Sequence, residues 1–157
     1  MVPFTLVPSH FFSPEGARAA LEAVSPVNDG DEVRHAPVAQ YGAQLVYATA
    51  PGGPDGPPEI FDILGELPLC PDYNKLLCSW RGGILSMAIA QGRSLLLANS
   101  YDAPDFTTAQ YFIFLAMKSL QLNPEVTVIR FRHPLAPADE TALYRYFKSV
   151  ETAAPAK

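Results

Sequence analysis

The chain has 157 residues, 48% of them hydrophobic and 17% charged, and a net charge of −5. That size supports one proper core or two small lobes. The acidic balance excludes a nucleic-acid footprint and a polybasic membrane face, both of which need clustered Lys and Arg.

Met1-Val2-Pro3-Phe4 has no basic segment ahead of an apolar run, so no signal peptide is expected. The longest apolar stretch, residues 84–98, is interrupted by Gln91, Gly92 and Arg93, which predicts no membrane span. Cys70 and Cys78 make neither a disulfide framework nor a zinc site. Cys78 reads as a small core residue inside a strand. Such sparse cysteine use points to the cytoplasm.

A short strand is predicted at Phe4-Thr5-Leu6-Val7. A strand so near the terminus needs neighbours, so it is expected to pair with preceding chain or with another copy. Ser13-Pro14-Glu15 opens a helix: Ser caps free amides, Pro suits the first position, and Glu favours the positive end of the dipole. The helix is predicted to reach Val24, with Ala17, Ala20, Leu21 and Val24 on one face. Asn28-Asp29-Gly30-Asp31 is read as a turn, since it lacks the longer ligand series of a calcium loop.

Residues 32–38 and 43–49 are predicted strands, the first an edge because it carries Pro37. Residues 51–58, Pro-Gly-Gly-Pro-Asp-Gly-Pro-Pro, cannot pack a core. They are the expected lobe boundary and the expected disordered loop. A short helix over 58–67 follows, with Ile60, Phe61, Ile63 and Leu64 apolar.

Residues 75–101 read as a three-stranded meander over 75–80, 84–90 and 93–101. Arg81-Gly82-Gly83 and Gln91-Gly92 supply the positive φ that tight hairpins need. A helix is predicted over 106–122. Phe106, Tyr111, Phe112, Phe114, Leu115, Met117, Leu120 and Leu122 cover more than the stripe of an ordinary surface helix. It is expected to pack on a sheet on one side and on a helix or subunit on the other. Asp102 and Asp105 ahead of it are read as caps, not as a catalytic pair. A strand is predicted over 125–132, with Val126, Val128, Arg130 and Arg132 on one face. A last helix is predicted over 137–150, with Leu143, Tyr146, Phe147 and Val150 apolar, and 151–157 is expected to be a disordered tail.

The order βββαβα over residues 75–150 makes a mixed sheet with helices packed on it, an α+β (α/β-like) arrangement. It resembles the ribonuclease H-like core of the actin-like ATPase superfamily. The stretches FTLVPSHFF, ANSYDAPDFTTAQYFIFLAMKSLQLNPE and ETALYRYF narrow the likeness. They resemble the bacterial family named domain of unknown function 3822, found mainly in Bacteroidetes. The resemblance implies an actin-like fold with no established activity. It also implies longer members at the N-terminus, so that residues 1–57 are expected to be a partial first lobe and 58–150 the core subdomain.

In the superfamily a glycine-rich hairpin holds phosphates, a carboxylate on the preceding strand positions magnesium, and a Gly-Gly turn follows a later strand. Gly82 and Gly83 match the hairpin, with Arg81 beside them. Leu77-Cys78-Ser79-Trp80 has no acid, and Ser79 stands where one is expected. The later turn reads Arg130-Phe131-Arg132-His133-Pro134. Arg130, Arg132 and His133 form the one compact basic group, an anion-site candidate that Arg81 joins if the hairpin folds nearby. The bland alternative pairs these arginines with Glu125, Asp139 or Glu140 at the surface. His10 and His35 stand on separate elements and are read as structural. No catalytic residue and no metal site is assigned.

The expected function is a non-catalytic interaction or assembly module on a degenerate actin-like fold. It acts as a homodimer through the 106–122 helix or the N-terminal strand, or with an unidentified protein partner. The alternative is an ATP-binding protein with weak or no hydrolysis.

Overall fold

Alternating apolar side chains sort the strands into two sheets on either side of one short helix. The structure, a computed structural model, describes residues 2–53 and 56–152. The meander is β4 (Asn74–Arg81), β5 (Ile84–Gln91) and β6 (Ser94–Asp102). Gly82 and Gly83 join the first pair with φ of 62° and 74°, a two-residue turn open to glycine and costly for other residues. Helix α3 (Phe106–Ser119) returns the chain to β7 (Val128–Phe131), parallel to β4. Helix α4 (Pro137–Tyr144) then leads to β8 (Ser149–Thr152), parallel to β7. The sheet order is β6-β5-β4-β7-β8.

Strand β8 corrects the prediction that helix runs to 150 and disorder begins at 151. The spacing of Leu143, Tyr146, Phe147 and Val150 satisfies a helical stripe. Helix α4 nevertheless stops at Tyr144, and Val150 enters the core by pairing with Ile129. The remainder of that tail lies outside the described residues, as do Pro54 and Asp55 of the loop expected to be disordered.

One face of the sheet carries Leu76, Cys78, Leu85, Met87, Ile89 and Phe131 against Phe106, Ala109, Ile113 and Met117 of α3. The other carries Leu77, Ala88 and Ala90 under α2 (Glu59–Glu66). Eight residues make a marginal helix alone. Ile60, Ile63 and Leu64 are fully buried, each worth about 1.5–3 kcal/mol of transfer free energy, so packing holds α2 in place.

Val38, Leu45 and Tyr47 reach the same cluster from the second sheet. That sheet is β1 (Phe4–Pro8), β2 (Glu32–Val38) and β3 (Ala43–Thr49), ordered β1-β3-β2. Its far face, Val46 and Ala48, is covered by Ala17 and Leu21 of α1 (Ala17–Glu22). Helix α2 is therefore a layer shared by both sheets.

Three further expectations are corrected. Strand β1 has a partner within the chain, pairing along its length with β3. Helix α1 ends at Glu22 and leaves Val24 exposed. Asp102 is the last residue of β6, opposite Ile84, and caps nothing, whereas the Asp105 carboxylate does accept the Thr108 amide at 2.7 Å. Part of the aromatic excess of α3 is absorbed internally. Phe112 stacks on Tyr101 with centroids 4.6 Å apart, and Phe114 packs on Phe147 and Tyr146. Tyr111 and Leu115 stay exposed.

Candidate functional site

Period-2 alternation sends Ser79 of β4, and Arg130 with Arg132 of β7 and its exit, to the face that α2 only partly covers. Proline at the N-cap starts α2 at Glu59, in the first turn where a carboxylate suits the dipole. That start sets Glu59 over the ends of the two parallel strands.

One Glu59 oxygen accepts the Ser79 hydroxyl at 2.5 Å. The other takes Arg132 Nη1 at 2.5 Å and lies 2.6 Å from His133 Nε2. Arg132 Nε also donates to Glu66 at 2.8 Å, one end of α2 to the other. Arg81 Nη1 lies 3.4 Å from His133 Nε2, so the hairpin tip does meet the basic group. Arg130 is held apart by Asp72 at 2.6 Å and Glu151 at 2.8 Å. It lines a shallow cavity of about 230 Å³ with Glu66, Leu69, Cys70, Pro71 and Leu77.

Burial alone pushes the Glu59 carboxyl up. Hydrogen bonds from Ser79 and His133 and the charges of His133 and Arg132 outweigh it and hold the group below its ordinary value. Burial likewise opposes the Arg130 charge, and the hydrogen bond to Asp72 with the Glu151 and Asp72 charges overcomes it, raising the group.

Arg130 and Arg132 therefore carry ion partners, but Glu59, Glu66, Asp72 and Glu151 take the place of Glu125, Asp139 and Glu140. Sequence reasoning missed Glu59 because its partners lie 20, 73 and 74 positions away. Its only local signal, Pro58-Glu59, also describes any helix start.

The hairpin tip is tied to Ala103, just past the end of β6. The Ala103 amide donates to the Gly83 carbonyl at 2.8 Å, and Trp80 Nε1 donates to the Ala103 carbonyl at 2.9 Å. His10 lies in a one-turn segment at the surface and His35 packs its ring on Phe12.

The residues present do not fit a magnesium–nucleotide pair. A magnesium site needs carboxylate oxygens turned to the ion. Both oxygens of Glu59, the acid beside the hairpin end, are turned instead to Ser79, Arg132 and His133. Arg130 and Arg132, which would face phosphates, each bridge two carboxylates. Among the described residues, no group of three or more His, Cys, Asp or Glu is placed to hold a metal, and no helix is long and apolar enough to cross a membrane.

The family model described as Protein of unknown function (DUF3822) matches residues 71–150. The chain is similar to a solved structure from Bacteroides thetaiotaomicron, a protein with an actin-like ATPase fold and unknown function. The TM-score is 0.79 at 17% identity, over 96% of this chain and 65% of that one. The two share the actin-like fold, and this chain spans less than two thirds of the other's length. No curated protein matches the chain.

Proposed function

The chain belongs to the DUF3822 family, and from that premise we propose that it is a non-catalytic interaction or assembly module built on a degenerate actin-like nucleotide site. The observation that carries this reading is the engagement of Glu59. In this reading an ion cluster joining α2, β4 and the exit of β7 has replaced the metal carboxylate and the phosphate cations. The charges that once served a ligand now hold a layer of the fold.

The reading includes a homodimer through α3, which keeps Tyr111 and Leu115 exposed, or through the N-terminal strand. It treats residues 1–57 as a first unit and 58–150 as the core. The free thiols of Cys70 and Cys78 are compatible with the cytoplasm assigned here.

A second reading, ATP binding with weak or no hydrolysis, is favoured by the position of Arg81 beside Gly82 and Gly83. A thermal-shift titration with magnesium-ATP separates the two. Ligand at a hundredfold excess over Kd adds about 2.7 kcal/mol of stability. The assembly reading expects no shift at millimolar nucleotide. A shift that Arg81→Ala abolishes would overturn it and establish the second reading.

A further inference from the structure

The two sheets present four edge strands among the described residues, and three are blunted. Strand β1 is five residues long and ends in Pro8. Strand β2 carries Glu32, Arg34 and Pro37. Strand β8 has four residues and carries Glu151. Charges, prolines and short length are the devices by which sheets avoid pairing with other chains. Strand β6 is nine residues long, with no proline and no charge before Asp102. Its one blunting device is a bulge near its start, which leaves Leu96 unpaired between Leu95 and Leu97. From Leu97 to Asp102 it is regular.

The direction of its backbone groups follows from the ladder. Ala103 donates to Gly83, so Tyr101, Asn99 and Leu97 are the hydrogen-bonded partners of β5. Ala98, Ser100 and Asp102 then turn their N–H and C=O outward. The Ser100 amide is met by the Asn99 side-chain oxygen at 2.9 Å, a local stand-in for a neighbouring strand.

The two sides of this edge differ in character. Toward α3, Tyr101 stacks on Phe112, whose ring meets exposed Tyr111 at 5.4 Å. Toward the other sheet, β6 and β1 border a trough. Its two cavities, about 530 and 280 Å³, have mixed walls: Leu6 and Leu95 with Gln40 and Arg93 in one, Phe4 and Ala98 with Thr5 and Asn99 in the other.

We propose that the open edge of β6 is the site at which a second copy of this chain adds, antiparallel and centred on Asn99, to make one continuous sheet. The inference rests on the assembly reading above and moves its contact to β6, between α3 and β1. The occupant is argued from self-complementarity. About Asn99 the strand sets Leu97 opposite Tyr101 on the α3 face and Ala98 opposite Ser100 on the other. The second pair exchanges the outward N–H and C=O groups. No like charges meet, and the same two-fold axis draws the α3 and β1 surfaces of the two copies together. Asn99 faces its own copy at a non-hydrogen-bonded position, where strands approach to about 4.5 Å between Cα atoms.

Sedimentation velocity on the full chain tests this. The wild type is expected to be dimeric at micromolar concentration. Asn99→Lys and Asn99→Asp are each expected to weaken the dimer at least tenfold, with an unchanged far-UV circular dichroism spectrum because Asn99 is exposed. Mixing the two variants is expected to restore a dimer, since opposite charges then meet at the axis. A monomeric wild type overturns the proposal. So does a dimer that survives both Asn99 variants and their mixing unchanged but is lost in Leu115→Arg. That outcome would move the interface to α3 and leave the assembly reading standing.

Discussion

Glu59 opens α2 with its carboxylate 2.5 Å from the Ser79 hydroxyl on β4, so the strand position without an acid receives one from a helix. This contact ties α2 to the central strand, and Arg132 and His133 complete the tie from β7's exit. A hydrogen bond to a charged group contributes about 1.5–3 kcal/mol. Glu59→Gln keeps the shape and removes the charge, and is expected to cost about 2 kcal/mol in urea unfolding. Ser79→Ala leaves the ion pairs, removes one bond to the charged carboxylate, and should cost about 1.5 kcal/mol. Neutrality of both changes would dismiss the cluster as a structural element.

The same cluster gives stability an acid limb. The folded-state pKa of Glu59 lies below its ordinary value of 4.5, so the unfolded chain takes up the proton first as pH falls. The contribution is fully present above the ordinary value and is lost as pH drops through the folded one. The stability difference between wild type and Glu59→Gln is expected to shrink below pH 4.5. Unfolding curves measured across acid pH check the sign.

Gly83 has a φ of 74°, and a Cβ there would meet only Pro104 Cα at 3.9 Å, an ordinary contact. The cost of Gly83→Ala is therefore conformational, about 1–2 kcal/mol for a left-handed residue. Gly82, with φ 62° and nothing within 4 Å, should behave alike. Chemical denaturation of the two variants should show similar losses, since both glycines serve the hairpin.

Val150 is buried in the main core from β8. Val150→Ala is expected to cost about 2 kcal/mol, from lost transfer energy plus a small cavity. Tyr144 donates to the Val150 carbonyl at 3.0 Å, so Tyr144→Phe adds an independent check on the strand's position. Thermal unfolding of both variants reads this out.

Burial raises the Cys78 thiol far above its ordinary value. The native protein is expected to resist alkylation at Cys78, and labelling should rise with the unfolded fraction in urea. Mass spectrometry of labelled peptides follows it.

Most elements were legible because their signals are local. Glycines marked the hairpin turns, Asp105 marked the start of α3, and alternation placed Arg130 and Arg132 on one face of β7 and its exit. Two of the misreadings have clear physical causes. Leu143, Tyr146, Phe147 and Val150 match a helical stripe, yet pairing with β7 buries Val150 as part of a strand. Phe4–Val7 looked unpartnered because β3, its neighbour, lies about forty positions later.

The amino-acid sequence by itself determined the meander, the crossover helix, the glycine turn and the absence of an acid at Ser79, since each depends on adjacent residues. Only the tertiary structure decided that Glu59 fills that gap, that Arg130 and Arg132 bridge carboxylates, and that β6 is the unguarded edge. Those facts depend on which segments meet in space. Ion pairing and edge exposure carry no period along the chain, so no local pattern announces them.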